Sequence, residues 1–193
     1  MCDRLETAGE VTLDELTSEE LTRRLTYAGL VLLGYELVKS MIVGPIKLFY
    51  RDVTFGKGMP FKSYEADVLS RHTNEFEACL LYLRDFMKVI DSADVLTVQA
   101  MRKHRNDLAH DLVNMLPRLE IEKYQSLFED VDRTLFRLSN HRAYMEIGHD
   151  PEFAGIDWSK AKGHEYALFE AVMAKFKLLE FGGTAQQTLG ENA

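Results

Sequence analysis

The residues of this chain that are best suited to chemistry lie in one stretch, residues 100–116, with the sequence AMRKHRNDLAHDLVNML. The spacing of its apolar residues predicts a helix. On a helical wheel, Arg105 lies in the middle of the apolar stripe, where an unpaired guanidinium is costly. Arg102, Asn106 and His110 recur at every fourth position and form a polar row along one edge of that stripe. The sequence therefore places a cation, an amide and an imidazole on one helix.

The wheel also assigns the neighbours of this row. The apolar stripe around Arg105 consists of Val98, Met101, Leu108, Ala109, Leu112 and Leu116. Four other polar residues point away from the stripe, as on a solvated helix face: Lys103, His104, Asp107 and Asp111.

Two interpretations of the pattern remain open. In the first, Arg105 pairs with a buried carboxylate and His110 is an ordinary residue at the helix edge. In the second, Arg105 supplies a forked, permanent cation to phosphate oxygens, and His110 transfers protons near neutral pH. Asn106 would then orient the imidazole or the substrate. Arg102 and Lys103, in the densest cationic cluster of the chain, would contact further phosphate oxygens.

The segment RNDLAH, residues 105–110, resembles the motif of the HEPN superfamily (higher eukaryotes and prokaryotes nucleotide-binding). That motif is an Arg followed by a polar residue, with a His four to six residues after the Arg, on a helix of an all-helical domain. Here the matching residues are Arg105, Asn106 and His110, with four residues between Arg and His. The resemblance implies a helical bundle in which two protomers pair and bring their motifs together. Many members are metal-independent endoribonucleases that act as toxins or defence effectors, whereas others have lost activity and only bind.

The chemistry implied by this resemblance needs no metal and no cofactor. RNA carries its own nucleophile, the 2′-hydroxyl, which attacks the adjacent phosphorus after a base removes its proton. Arg105 would stabilise the phosphorane, and His110 would act as general acid or base. One imidazole cannot easily fill both roles in a single step, so a second His110 from a homodimer is expected. On an ideal helix Arg105 and His110 lie about 140° apart, so they converge only through the length of arginine, a local helix distortion or contributions from opposite protomers.

Rival functions use the same residues differently. A non-catalytic dimerising or regulatory module would carry a degenerate site, with Arg105 paired to Glu36 or to another carboxylate. A nucleotide-binding module would use the cations without turnover. For Glu36 itself, the sequence favours a helix-edge pair with Lys39 over contact with Arg105.

Composition limits the function classes. The net charge of −8 argues against a broad nucleic-acid-binding surface but not against a local site. Two cysteines are too few for a disulfide framework, Cys79 is expected to be a buried thiol, and no metal-binding spacing occurs.

The N-terminus has no apolar signal region, and Glu36 and Lys39 interrupt the apolar run over residues 27–43. We therefore expect a cytoplasmic protein that does not enter membranes. RNA, a second copy of the chain and a possible protein inhibitor are the expected partners.

The elements that position the motif are all predicted to be helical. We expect a flexible N-terminus over residues 1–11, one all-α, HEPN-like domain of five to six helices over 12–181, and a flexible tail over 182–193. Capping boxes begin the first helix at Thr12 or Thr17, and Gly44-Pro45 ends or kinks it. Asp91 or Ser92 caps the motif helix, which stops near Pro117. Further helices are predicted over 63–72, 73–90, 119–147 and 162–181. His141, Arg142 and His149 suit the C-terminal end of their helix better than a site.

Overall fold

The computed structural model describes residues 13–54 and 56–181, apart from the side chains of residues 14, 180 and 181. The predicted flexible segments 1–11 and 182–193 lie outside this part of the chain. Within it, the protein is a bundle of six α-helices without β-strands, and the prediction of an all-α, single-domain bundle is confirmed. The helices are α1 (Ser18–Asp52), α2 (Tyr64–Asp67), α3 (Glu75–Asp85), α4 (Ser92–Met115), α5 (Gln125–Ile147) and α6 (His164–Phe181).

Helix α1 is the central element of the bundle. It begins after Thr17, whose hydroxyl caps the backbone N–H of Glu20 while the Glu20 carboxylate accepts from the Thr17 N–H, so the second predicted capping box is the one used. Its buried side chains pack against α3, α4, α5 and α6. Of the two effects predicted for Pro45, an end of the helix does not occur, since α1 continues to Asp52. Burial of Ile46 beyond the proline compensates for the backbone hydrogen bond that Pro45 cannot donate.

By length and composition alone, α1 could cross a membrane, because an 18-residue window reaches a mean hydropathy of 1.5. However, 44% of that window is buried inside the bundle, as in the core helix of a globular protein. The central position of α1 explains the apolar residues of its buried part.

The motif helix α4 begins and ends where the sequence predicts. Asp91 caps its first turn, and its carboxylate accepts from the backbone N–H groups of Ala93 and Asp94. The helix ends at Met115, and a 3₁₀ turn that contains Pro117 follows. The backbone of Asp111 is non-helical (φ −137°, ψ 36°), so the last turn of α4 changes direction after His110.

A second 3₁₀ turn, Ile121–Tyr124, precedes α5 and replaces the first turns of the helix predicted from residue 119. Elsewhere in the core Cys79 is fully buried, as predicted. At Gly34 the side chain of Met101 from α4 reaches the backbone of α1, since a Cβ atom there would lie 3.3 Å from Cε of Met101. The bundle therefore places α4 directly against the middle of α1.

Candidate functional site between helices α1 and α4

Arg105 lies where α4 meets α1, at the edge of the core. Its side chain is 30% exposed. Met101 and Leu108 on the same stripe are buried, as the wheel predicts, whereas Ala109 is exposed. The inner side of the guanidinium therefore lies next to apolar residues, and its outer edge faces solvent.

Three groups surround the Arg105 guanidinium. One terminal nitrogen donates to Oε1 of Glu36 at 3.2 Å, and the other donates to Oδ1 of Asn106 at 3.1 Å. The guanidinium carbon lies 5.3 Å from the centre of the Tyr35 ring, within the range of a cation–π contact. Nε is buried and has no hydrogen-bond partner among the described residues. Within the described part of the chain, the Nε–H of Arg105 is thus unused.

The Glu36 contact answers a question that the sequence left open. The expected preference for a Glu36–Lys39 pair is wrong, because Glu36 pairs with Arg105 across the two helices. The Glu36 side chain is 53% exposed, so the pair lies at the surface and not inside the bundle.

The other two predicted phosphate contacts are also paired with carboxylates. Arg102 donates to Glu77 at 2.5 Å, and Gln99 donates to the second oxygen of that carboxylate at 2.7 Å. Lys103 donates to Asp107 at 2.7 Å on the outer face of α4. These pairs reduce the positive potential that the sequence RKHR would otherwise create.

His110 is exposed at the surface of α4. The irregular backbone of Asp111 follows it, so the segment from Arg105 to His110 keeps helical geometry and the two side chains project about 140° apart. One chain therefore brings Arg105 and Asn106 together but leaves His110 on a different side of the helix.

The structure corrects the placement of His104, which the sequence put on the solvated face. Its side chain is only 4% exposed, its Nε2 lies 2.9 Å from the Tyr27 hydroxyl, and its ring stacks on Tyr124 with the ring centres 3.6 Å apart. Burial lowers the pKa of His104 to about 4, although Asp107 opposes this shift. The 3₁₀ turn Ile121–Tyr124 covers this side of α4, and no local sequence signal indicates that contact.

Within residues 13–54 and 56–181, no group of three or more His, Cys, Asp or Glu side chains could hold a metal ion. Comparison of the chain with protein-family models, curated proteins and solved structures found no match. The described residues thus define an all-α bundle with a partly exposed arginine site between α1 and α4. The likeness to the HEPN superfamily stays a prediction.

Proposed function

We propose that this chain is a cytoplasmic, metal-independent endoribonuclease of the HEPN type that acts as a homodimer. His110 serves as general acid or base and Arg105 stabilises the phosphorane formed by attack of the 2′-hydroxyl. Asn106 holds Arg105 in position, while Arg102 and Lys103 contact neighbouring phosphates. A role as toxin or defence effector, with a protein inhibitor as a further partner, belongs to the same proposal.

The observation that carries the proposal is the state of the Arg105 guanidinium. It is held in place by Tyr35 and Asn106, it reaches the surface, and its buried Nε has no hydrogen-bond partner among the described residues. An ion pair as exposed as Arg105–Glu36 is worth at most about 1 kcal/mol. A phosphodiester that binds Arg105 in a bidentate way can therefore displace Glu36 at small cost.

Separation of Arg105 and His110 on one helix explains why the proposal includes a second protomer. Exposed apolar side chains flank both residues and offer a surface for pairing. Leu33, one turn before Glu36 on α1, is 51% exposed, and Val113, three residues after His110, is 66% exposed. A two-fold axis near these residues would bring a second imidazole to each arginine.

A second candidate function is favoured by the same ion pair. If the Arg105–Glu36 contact is permanent, the chain is a non-catalytic dimerisation or regulatory module, or a nucleotide-binding module, with a degenerate site. Arg105 would then stabilise the packing of α4 on α1 instead of binding phosphate.

Incubation of the purified protein with mixed RNA in EDTA distinguishes these functions. We expect cleavage by the wild type, with loss of at least 100-fold in rate for His110→Ala and for Arg105→Ala. His164→Ala, a change of another exposed histidine at the start of α6, is the matched control and should cleave normally. Circular dichroism establishes that each variant is folded. Intact RNA with the wild type, or full cleavage by folded His110→Ala, would contradict the nuclease.

A further inference from the structure

A cavity of about 400 Å³, lined by none of the residues of the arginine site, lies between the C-terminal half of α1, α3 and α5. Its walls are mainly apolar and include Ile42, Ile46 and Phe49 of α1, Leu83 of α3 and Leu138 of α5. Its size and lining are those of a small-molecule site. Leu48, Phe49 and Met145 at this cavity are 45%, 36% and 53% exposed, so apolar surface is open to solvent at its mouth.

Polar residues of α5 and α6 form one part of the cavity wall, and Asp52 of α1 and Tyr82 of α3 also line the cavity. His141 of α5 lines it, and its Nε2 is buried without a hydrogen-bond partner among the described residues. A buried polar atom without a hydrogen bond is costly. If the imidazole rotates toward the cavity, a ligand that forms a hydrogen bond with Nε2 therefore gains binding free energy. Burial also lowers the pKa of His141, which keeps the ring neutral.

The charges beside His141 restrict the head group of such a ligand. Arg142 is neutralised by two carboxylates, since its guanidinium donates to both Glu146 and Glu165. Two carboxylates against one guanidinium leave this wall slightly negative, which disfavours an anionic head. A neutral imidazole offers a donor or an acceptor, and a hydroxyl group can satisfy either.

We propose that this cavity binds an uncharged amphipathic molecule, such as a medium-chain alcohol, with its apolar body against α1 and α3 and its hydroxyl on His141. The three methionines at the cavity, Met41, Met87 and Met145, have flexible side chains that adapt to such a body. The described chain ends are not near this cavity, because Arg23 at the start of α1 donates to the Leu179 carbonyl near the end of α6. This inference is independent of the proposed nuclease.

The test compares three probes with the same apolar chain: 1-decanol below its solubility limit, and decanoate and decylammonium below their critical micelle concentrations. Binding is followed by calorimetry and by NMR of ¹³C-methyl methionine in the full chain. We expect saturable binding of decanol with shifts of the Met41, Met87 and Met145 signals, while Met101 and Met173 in the core elsewhere stay unchanged. Decanoate should bind at least tenfold more weakly.

Two substitutions test the role of His141. His141→Phe should lower the affinity for decanol about three- to tenfold, the equivalent of one hydrogen bond, whereas His141→Gln should retain most of it. The proposal is overturned if no probe binds, if either charged probe binds as tightly as decanol, or if the three cavity methionines do not respond. If the wild type and folded His141→Phe bind decanol with equal affinity, the hydroxyl of the ligand does not contact His141, and the proposed ligand class is wrong.

Discussion

A carboxylate beside an arginine can either neutralise the cation permanently or hold it until an anion arrives, and solvent exposure decides which. Glu36 is about half exposed and Arg105 less so. Water therefore screens their attraction, while Tyr35 and Asn106 hold the guanidinium whether or not Glu36 is charged. A nuclease in which Arg105 binds phosphate and a protein in which Arg105 is only structural should therefore respond differently to a change of Glu36.

Glu36→Gln separates them, because the change removes the charge and keeps the shape of the side chain. If Arg105 binds phosphate, we expect a several-fold gain in affinity for RNA and a loss in the free energy of unfolding below about 1 kcal/mol. Fluorescence anisotropy with labelled RNA and urea unfolding measure the two quantities. Glu120→Gln, which breaks the exposed pair with Lys123, is the matched control. A loss above about 3 kcal/mol with unchanged affinity for RNA would show that Arg105 is structural.

His104 gives a prediction about pH that does not depend on function. Its folded-state pKa of about 4 lies below the ordinary value of 6.5, so the unfolded chain binds a proton more readily than the folded chain. Stability therefore falls as pH decreases from 6.5 to 4, by about 3 kcal/mol from this residue. Urea unfolding at pH values from 7 to 4 should show a shallower decline for His104→Gln than for the wild type. Parallel curves for the two proteins would contradict the buried, neutral imidazole.

At the scale of the elements, the sequence predicted features that depend on neighbouring residues. Thr17 and Asp91 begin their helices through capping contacts within three residues, and Pro117 follows the end of α4. Contacts between distant segments were not predictable in the same way. The Arg105–Glu36 pair joins residues 69 apart, and His104 is covered by a turn that includes Tyr124. Pro45 remains within α1 because tertiary packing outweighs a local helix breaker.

The crossing of α1 and α4 can be tested through two glycines of α1. No atom of the described residues lies within 4 Å of a Cβ atom at Gly29, whereas a Cβ atom at Gly34 lies 3.3 Å from Met101 and 3.8 Å from Phe169. We expect Gly29→Ala to raise the free energy of unfolding by about 0.5–1 kcal/mol through helix propensity. Gly34→Leu should lower it by at least about 2 kcal/mol, because its branches overlap both neighbours. Similar stabilities of the two variants in urea unfolding would contradict the close approach of the helices.

For the whole molecule, the proposed composite site makes activity depend on association. One chain separates Arg105 from His110, so a monomer would hold the phosphate without a correctly placed imidazole. We expect the specific activity on RNA to fall on dilution, at the concentration where sedimentation velocity shows dissociation of the dimer. Leu33→Asp puts a charge one turn from Glu36. We expect it to shift the dissociation of the dimer and the fall in activity to at least tenfold higher protein concentration. Because Leu33 is exposed in the single chain, the substitution should leave the free energy of unfolding of the monomer nearly unchanged.

The matched control for this prediction is Leu178→Asp, which places the same charge at an exposed leucine of α6. This control should have the same dimer dissociation and the same specific activity on RNA as the wild type. Constant specific activity at concentrations where the protein is monomeric would exclude the composite site, because one chain would then be sufficient for cleavage. A dimer that persists in Leu33→Asp and cleaves RNA normally would instead place the pairing surface away from α1.

Mixing inactive Arg105→Ala with inactive His110→Ala then asks whether one intact residue from each protomer is enough, because any recovered cleavage requires the two chains to share a site.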